Sequence, residues 1–284
     1  MVIGNKINLT KKSQLWDKRI QKENASSYKL ILHYSIKNFS YCIFDTENNE
    51  FLGVKFENIN NKKDLTSILE SEIFTWDFQS VLISVQTIKS TIIPNSIYDE
   101  KIIEKYLYFD EEINRQEIIA SNDFLKYIDA SVVFSLDKDL KLILDNKFKK
   151  IHLKSQASIF IDSILRKSAQ SKENLVFIDF SNNYFEIGLV KQSKLFLYNK
   201  FNFNTKEDFL YYILNCFNTS NLDSKKDKIY ISGEFQKNEV INPLKEYLNF
   251  IYLAKRDNLY SYSNALNTIP EFYFHKLYNI IKCV

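Results

Sequence analysis

The side chains best placed for chemistry lie at the ends of apolar runs. Asp179 falls near the end of Leu175–Phe180 and is followed by a polar turn, Ser181-Asn182-Asn183. A carboxylate in that position can cap the turn by an Asx-type bond to nearby backbone amides. Gly233 follows the run 228–232, within Ser232-Gly233-Glu234, and reads as a turn residue after its strand. His33, His152 and His275 are isolated from one another; His33 sits among apolar neighbours and suits a hydrogen-bonded core position. Cys42, Cys216 and Cys283 have no CxxC spacing, which argues against a disulfide framework or a zinc site. No HExxH, GxSxG or P-loop pattern occurs. Glu111-Glu112 and the pair Asp137 and Asp139 lack a partner cluster and suit solvated loops. Lys147, Lys149, Lys150 and Lys154 form a basic run, either a solvated face or a docking site for RNA or an acidic partner. No catalytic constellation and no metal site emerge from these residues.

The elements that must position Asp179 are legible around it. Leu175–Phe180, 184–190 and 194–203 are strand-like runs separated by turn residues, and Thr205 opens a helix over 206–217. An earlier stretch repeats this order. Runs at 29–34, 39–44 and 51–56 are followed by Leu65, Ile68, Leu69 and Ile73 at helical spacing within 62–74. The copies lie about 146 residues apart, a register that places Leu32, Tyr34 and Ser35 on Ile178, Phe180 and Ser181.

Each copy continues alike. The first has a strand at 81–85, an extended piece ending at Pro94, a helix at 99–108, a polar and ambiguous stretch at 111–126, a strand at 127–135, and a helix or strand at 138–145. The second has a strand at 228–232, a helix at 238–248, a strand at 250–254 and a C-terminal helix at 272–281. Between the copies, 155–167 reads as a helix capped by Ser155. The expected domains are an N-terminal arm at 1–27 with a short helix over 12–22, a first lobe at 28–154, and a second lobe with the connecting helix at 155–284.

Composition sets the class. The chain has 284 residues, 45% hydrophobic and 26% charged, which are globular values. Aromatic residues reach 15%, enough for a core built from rings or for a stacking surface. A net charge of +3 is too balanced for a dedicated nucleic-acid binder, so nucleic acid is not expected as a direct ligand. Arg is confined to Arg19, Arg115, Arg166 and Arg256, which disfavours a tight phosphate site. No apolar run is long enough to span a membrane and no secretory signal is evident, so the sequence suggests a reduced, cytoplasmic protein.

A duplicated β-β-β-α-β-α-β unit resembles the actin-like ATPase (ribonuclease H-like) fold. More narrowly, the chain resembles the DUF3822 family of unknown function, seen mainly in Bacteroidetes. The resemblance rests on Phe177-Ile178-Asp179-Phe180, 197–201, 207–212, Tyr230-Ile231-Ser232-Gly233-Glu234, and Ile92-Ile93-Pro94 followed by Tyr98-Asp99. It covers 28 to the end.

The resemblance implies an α/β fold of two lobes. Actin-like ATPases hold phosphates between two hairpins, one per lobe, each opening with an Asp near a Gly. The Asp organises metal-bound water, and the Gly lets backbone N–H groups approach phosphate. Here the first acidic position falls near His33 or Tyr34, with no Asp and no Gly between Tyr28 and Phe44. In the second, Asp179, Ser181, Asn182 and Asn183 occupy the phosphate positions, and Gly233 alone remains near the adenosine position. The chain has 4 Gly in all. These features imply vestigial sites, no required cofactor and no ATPase activity. The expected role is a cytoplasmic scaffold for a protein partner. The resemblance also implies a link to ribosomal RNA modification, because members of the family are often encoded beside a 16S ribosomal RNA methyltransferase. The alternative is a divergent nucleotide-binding ATPase or kinase using ATP and Mg²⁺, and a third reading is a pilus- or secretion-type platform.

Overall fold

The computed structural model describes residues 13–107, 116–181 and 183–283. They form two compact units. The first contains 13–159, Asn258–Thr268 and 276–283; the second contains Phe160–Asp257 and Ile269–His275.

The first unit is built on strands β1 (Ser13–Trp16), β2 (Tyr28–Tyr34), β3 (Asn38–Asp45), β4 (Glu50–Asn58) and β5 (Ser80–Val85), with helix α1 (Lys62–Leu69) between β4 and β5. An insertion follows: β6 (Ser90–Pro94), β7 (Ile118–Phe124) and β8 (Ala130–Asp137) form a separate three-stranded sheet in the order β6-β8-β7. Helix α2 (Lys138–Lys147) and strand β9 (Ile151–Ser155) return the chain to the main sheet. Helix α3 (Gln156–Ser168) then begins in this unit and ends in the next.

The second unit carries β10 (Leu175–Phe180), β11 (Tyr184–Lys191), β12 (Lys194–Asn202), α4 (Lys206–Thr219), β13 (Lys228–Gly233), α5 (Lys237–Lys245) and β14 (Ile251–Leu253). Thr205 and Asp208 form a reciprocal capping box at the start of α4, which fixes where the helix begins. Strand β15 (Ser261–Tyr262) pairs in parallel with β4, and α6 (His275–Asn279) is followed by a 3-10 turn at Ile280–Lys282.

Both main sheets share one topology. The orders β4-β3-β2-β5-β9 and β12-β11-β10-β13-β14 match strand for strand. In each, the first three strands are antiparallel neighbours, and the last two run parallel to the first. The expected register holds in detail: shifted by about 146 residues, Asn38–Asp45 falls on Tyr184–Lys191. The ladder irregularity between Ile43 and Phe44 falls on that between Leu189 and Val190. A bulge is a local device, and its recurrence at one position supports an ancestral unit written twice.

Burial follows the topology. Every residue of β3 and of β10 is buried, as strands covered on both faces must be. Gly188 in β11 permits close packing of α3, because a Cβ there would collide with Ile164 Cδ1 and press on Phe160.

The structure corrects several local expectations. The helix expected at 12–22 is absent; Ser13–Trp16 is a strand on β4, because pairing with an available sheet edge outweighs weak local preference. The helix at 99–108 is a 3-10 segment, Glu100–Tyr106, broken at Ile102. The ambiguous stretch contains β7, and the end of the basic run lies in β9 on the main sheet. The alternative at 138–145 resolves as helix. Glu111-Glu112 lies outside the described residues, as does Asn182.

Candidate strand-end site

Asp179 and His33 occupy equivalent positions in the two lobes. Each lies on the central strand, one residue before its end, and is flanked by the antiparallel and parallel neighbours of that strand. His33 pairs with Ser40 of β3 and Ser84 of β5. Asp179 pairs with Glu186 of β11 and Ser232 of β13.

In the second lobe these residues form a polar row across an otherwise apolar sheet. Asp179 Oδ2 accepts from Ser232 Oγ at 2.6 Å. Glu186 is fully buried beside it, and its Oε1 accepts from Tyr198 Oη at 2.7 Å. Lys200 of β12 is the cross-strand neighbour of Glu186. Where the sequence suggests that Asp179 caps the turn, Ser232 on the neighbouring strand is placed against its carboxylate. In the turn itself, Ser181 N–H donates to Tyr184 O at 2.9 Å, and Asn183 O receives Phe203 N–H at 2.9 Å.

The first lobe keeps the geometry and changes the charge. His33 Nδ1 lies 3.0 Å from Ser84 Oγ, matching the Asp179–Ser232 contact. Burial, with a smaller contribution from Lys276, pushes the imidazole pKa down to about 3. The ring is therefore neutral at physiological pH, and no carboxylate stands there. The β2–β3 turn also uses its own amides. Ser35 N–H donates to Asn38 O at 2.8 Å, Asn38 N–H donates to Ser35 Oγ at 3.1 Å, and Ile36 N–H donates to Gln86 Oε1 at 3.2 Å. The Ile36 side chain is 58% exposed at the tip.

Gly233 has φ +112°, a conformation that L side chains rarely adopt. A Cβ there would collide with the Phe180 carbonyl oxygen. Its N–H donates to Phe272 O at 2.8 Å, and Glu234 N–H donates to Phe180 O at 3.0 Å. The missing side chain thus makes room for a neighbouring strand, and both amides are engaged within the lobe.

Sequence reasoning overlooked Glu186, Ser84 and Ser232. The register that pairs His33 with Asp179 also pairs Ser40 with Glu186, so the repeat itself held that signal. It also overlooked a buried cluster at the start of α3. Ser155 caps the helix as expected, its Oγ accepting from Ser158 N–H at 3.1 Å. Asp123 of β7 joins it, accepting from Ser155 N–H and Ser158 Oγ, each at 2.7 Å. Burial raises the Asp123 pKa against these bonds. The first lobe also holds a cavity of about 360 Å³ against Trp16, Tyr41, Lys55 and Trp76, and neither His33 nor Ser84 lines it.

A family model described as "Protein of unknown function (DUF3822)" matches residues 17–251. The chain belongs to this family. Among solved structures, it is similar to a Bacteroides thetaiotaomicron protein with an actin-like ATPase fold and unknown function. The identity is 20%, covering 83% of this chain and 93% of that one, with a TM-score of 0.74. It is also similar to a structure described as the PilM-PilN type IV pilus biogenesis complex, at 9% identity over 90% of this chain and 98% of that one, with a TM-score of 0.64. No protein of curated function matches the chain. This DUF3822 chain therefore has the duplicated actin-like ATPase fold. Among its described residues, no helix is long and apolar enough to cross a membrane, and no group of three or more His, Cys, Asp or Glu is arranged to hold a metal ion.

The resemblance to actin-like ATPases implies ATP with Mg²⁺ as a ligand, and the first-lobe turn departs from the hairpin that this resemblance requires. The first-lobe position that would hold a carboxylate holds a neutral imidazole. The amides of Ser35, Ile36 and Asn38 in the adjacent turn have acceptors from their own lobe. Asp179 remains in the second lobe, bonded to Ser232 and beside a second buried acid.

Proposed function

We propose that this DUF3822 chain is a degenerate actin-like protein without ATPase activity. It serves as a cytoplasmic scaffold for a protein partner, in a setting of ribosomal RNA modification. The first-lobe turn carries this reading: His33 stands in the acidic position, and Gln86 occupies the Ile36 amide. One well-placed electrostatic group is often worth about a hundred- to a thousandfold in rate, and here a carboxylate is missing and several donors are committed elsewhere. The setting rests on the family association alone. The similarity to the pilus complex supports the fold and leaves the partner open.

The second reading is nucleotide binding without this machinery, favoured by the retained Asp179. Calorimetric titration of the full chain with ATP and Mg²⁺ separates the two. The scaffold reading expects no saturable heat. Micromolar binding that Asp179→Ala abolishes would overturn it.

A further inference from the structure

The first-lobe cavity of about 360 Å³ takes no part in the strand-end chemistry, since neither His33 nor Ser84 lines it. One side of it is a row across three strands. Gln14 of β1 pairs with Lys55 of β4, and Lys55 pairs with Tyr41 of β3, so their side chains share a face of the sheet. Trp16 follows two residues after Gln14, on that same face, and its partner is Gly53. A Cβ at Gly53 would press on Leu15 O and Trp16 Cα, so the glycine lets β1 close on β4 there. Trp76, directly after a 3-10 turn at Glu72–Thr75, lines the cavity as well. Among the described residues the second sheet has no strand in the place of β1.

The lining defines what fits. Its rings are Trp16, Tyr41 and Trp76, and the first two meet edge to face with centroids 5.9 Å apart. Its charges are Asp17, Lys55 and Glu72. Asp17 is paired with Arg19 at 2.8 Å, and Lys55 with Glu57 at 2.8 Å. Glu72 has a side chain 77% exposed, with Lys22 at 3.8 Å, and surface pairs of that kind are worth little. The Tyr41 ring already has Lys55 Nζ 5.7 Å from its centroid, so an entering cation would meet one in place. The donors differ from the charges. Trp16 Nε1 and Trp76 Nε1 are both buried with no hydrogen-bond partner among the described residues. An indole N–H can only donate, and a buried donor without an acceptor forfeits a bond that it makes in water. The indole χ2 torsion is broad, so a pivot brings either N–H to an acceptor within the cavity.

We propose that this cavity binds a small, neutral, flat heteroaromatic ring whose acceptor atoms take the indole N–H groups of Trp16 and Trp76. Ring walls suit a flat molecule. Charges matched within the lobe leave none inside to hold an ion. The unpaired donors ask for acceptors. Apolar walls with a few placed polar groups are the usual form of a small-molecule site. The assignment goes beyond the scaffold reading and does not depend on it.

The full chain has 2 Trp and both line the cavity, so the two indole cross-peaks of a proton–nitrogen NMR spectrum report on it directly. The probes are three bicyclic rings of similar size. Quinoxaline is neutral with two acceptors, indole is a neutral donor without an acceptor, and N-methylquinolinium is a fixed cation without one. Quinoxaline is expected to move both cross-peaks saturably, with the indole protons shifting downfield and a Kd on the order of 1 mM or tighter. The other rings should bind at least about tenfold more weakly. Trp16→Phe and Trp76→Phe each keep a ring wall and remove one N–H, and each should weaken quinoxaline about fivefold, read on the remaining cross-peak. No saturable shift by about 10 mM quinoxaline, equal affinity for indole, or Phe variants that bind like the parent would overturn the proposal. Tighter binding of the cation would also overturn it, because the rings would then form a cation cage. The three-ring comparison uses the unaltered chain, so it decides the matter even if a Phe variant fails to fold.

Discussion

The lobes hold the same strands in the same order and put different chemistry at the end of the central strand. One has His33 bonded to Ser84; the other has Asp179 bonded to Ser232, with Glu186 alongside. The side-chain contact to the parallel neighbour is conserved between the copies while the charge is not. Backbone topology is held by many buried apolar residues at once, so one polar position can change without disturbing it. The second difference lies one residue later on the parallel neighbour, where Val85 of the first lobe stands opposite Tyr34 and Gly233 of the second stands opposite Phe180.

The largest effect that could break this comparison is at Gly233. Gly233→Ala forces a side chain into a left-handed backbone and against the Phe180 carbonyl, a cost of about 3–5 kcal/mol. Val85→Ala in the first lobe trims a buried side chain, costing roughly 1–3 kcal/mol. Urea unfolding of the two variants should show the wider loss for Gly233→Ala. Equal losses would mean that the second lobe relaxes around the added methyl and that its glycine is not a structural requirement.

The contrast also shows what the sequence could convey. β2, β3, β10 and β11 were legible because apolar runs alternate with turn residues, and the repeat spacing aligned His33 with Asp179. β1 was hidden because Ser13-Gln14-Leu15-Trp16 is a strand only by virtue of β4. β7 was hidden because Ala120-Ser121-Asn122-Asp123 is polar, and Asp123 is held by partners at Ser155 and Ser158 far along the chain. The Gln86 side chain on the Ile36 amide joins residues with no sequence pattern between them. Pairings of that kind exist only once the strands are in register.

A smaller effect tests the charge difference itself. The unfolded chain has a histidine with an ordinary pKa of 6.5 at position 33, whereas burial holds the folded one down at about 3. Between those values the unfolded state binds a proton that the folded state refuses. Stability from this residue is therefore full above about pH 6.5 and falls as pH drops, by up to about 1.4 kcal/mol per pH unit. His33→Gln should flatten that part of the profile in urea titrations from pH 7 to pH 4. Carboxylates contribute to both chains, so the difference between the two slopes isolates His33. Parallel slopes would show that the imidazole charges within the fold, and the lobes would then differ less than their side chains suggest.

The smallest effect is at Gln86, and it bears most directly on whether the first lobe is emptied or only blocked. Its Oε1 accepts from Ile36 N–H at an exposed turn, a bond worth about 0.5–1 kcal/mol. Gln86→Ala should lower stability by no more than that while speeding hydrogen exchange at the Ile36 amide. The scaffold reading expects no ATP binding by this variant, because His33 still supplies no carboxylate and Ser35 and Asn38 still bond to each other. If Gln86→Ala alone brought ATP binding, the side chain would be a plug over a working cradle. His33 would then be an accepted substitute for the acid, and the asymmetry between the lobes would be one of access rather than of chemistry.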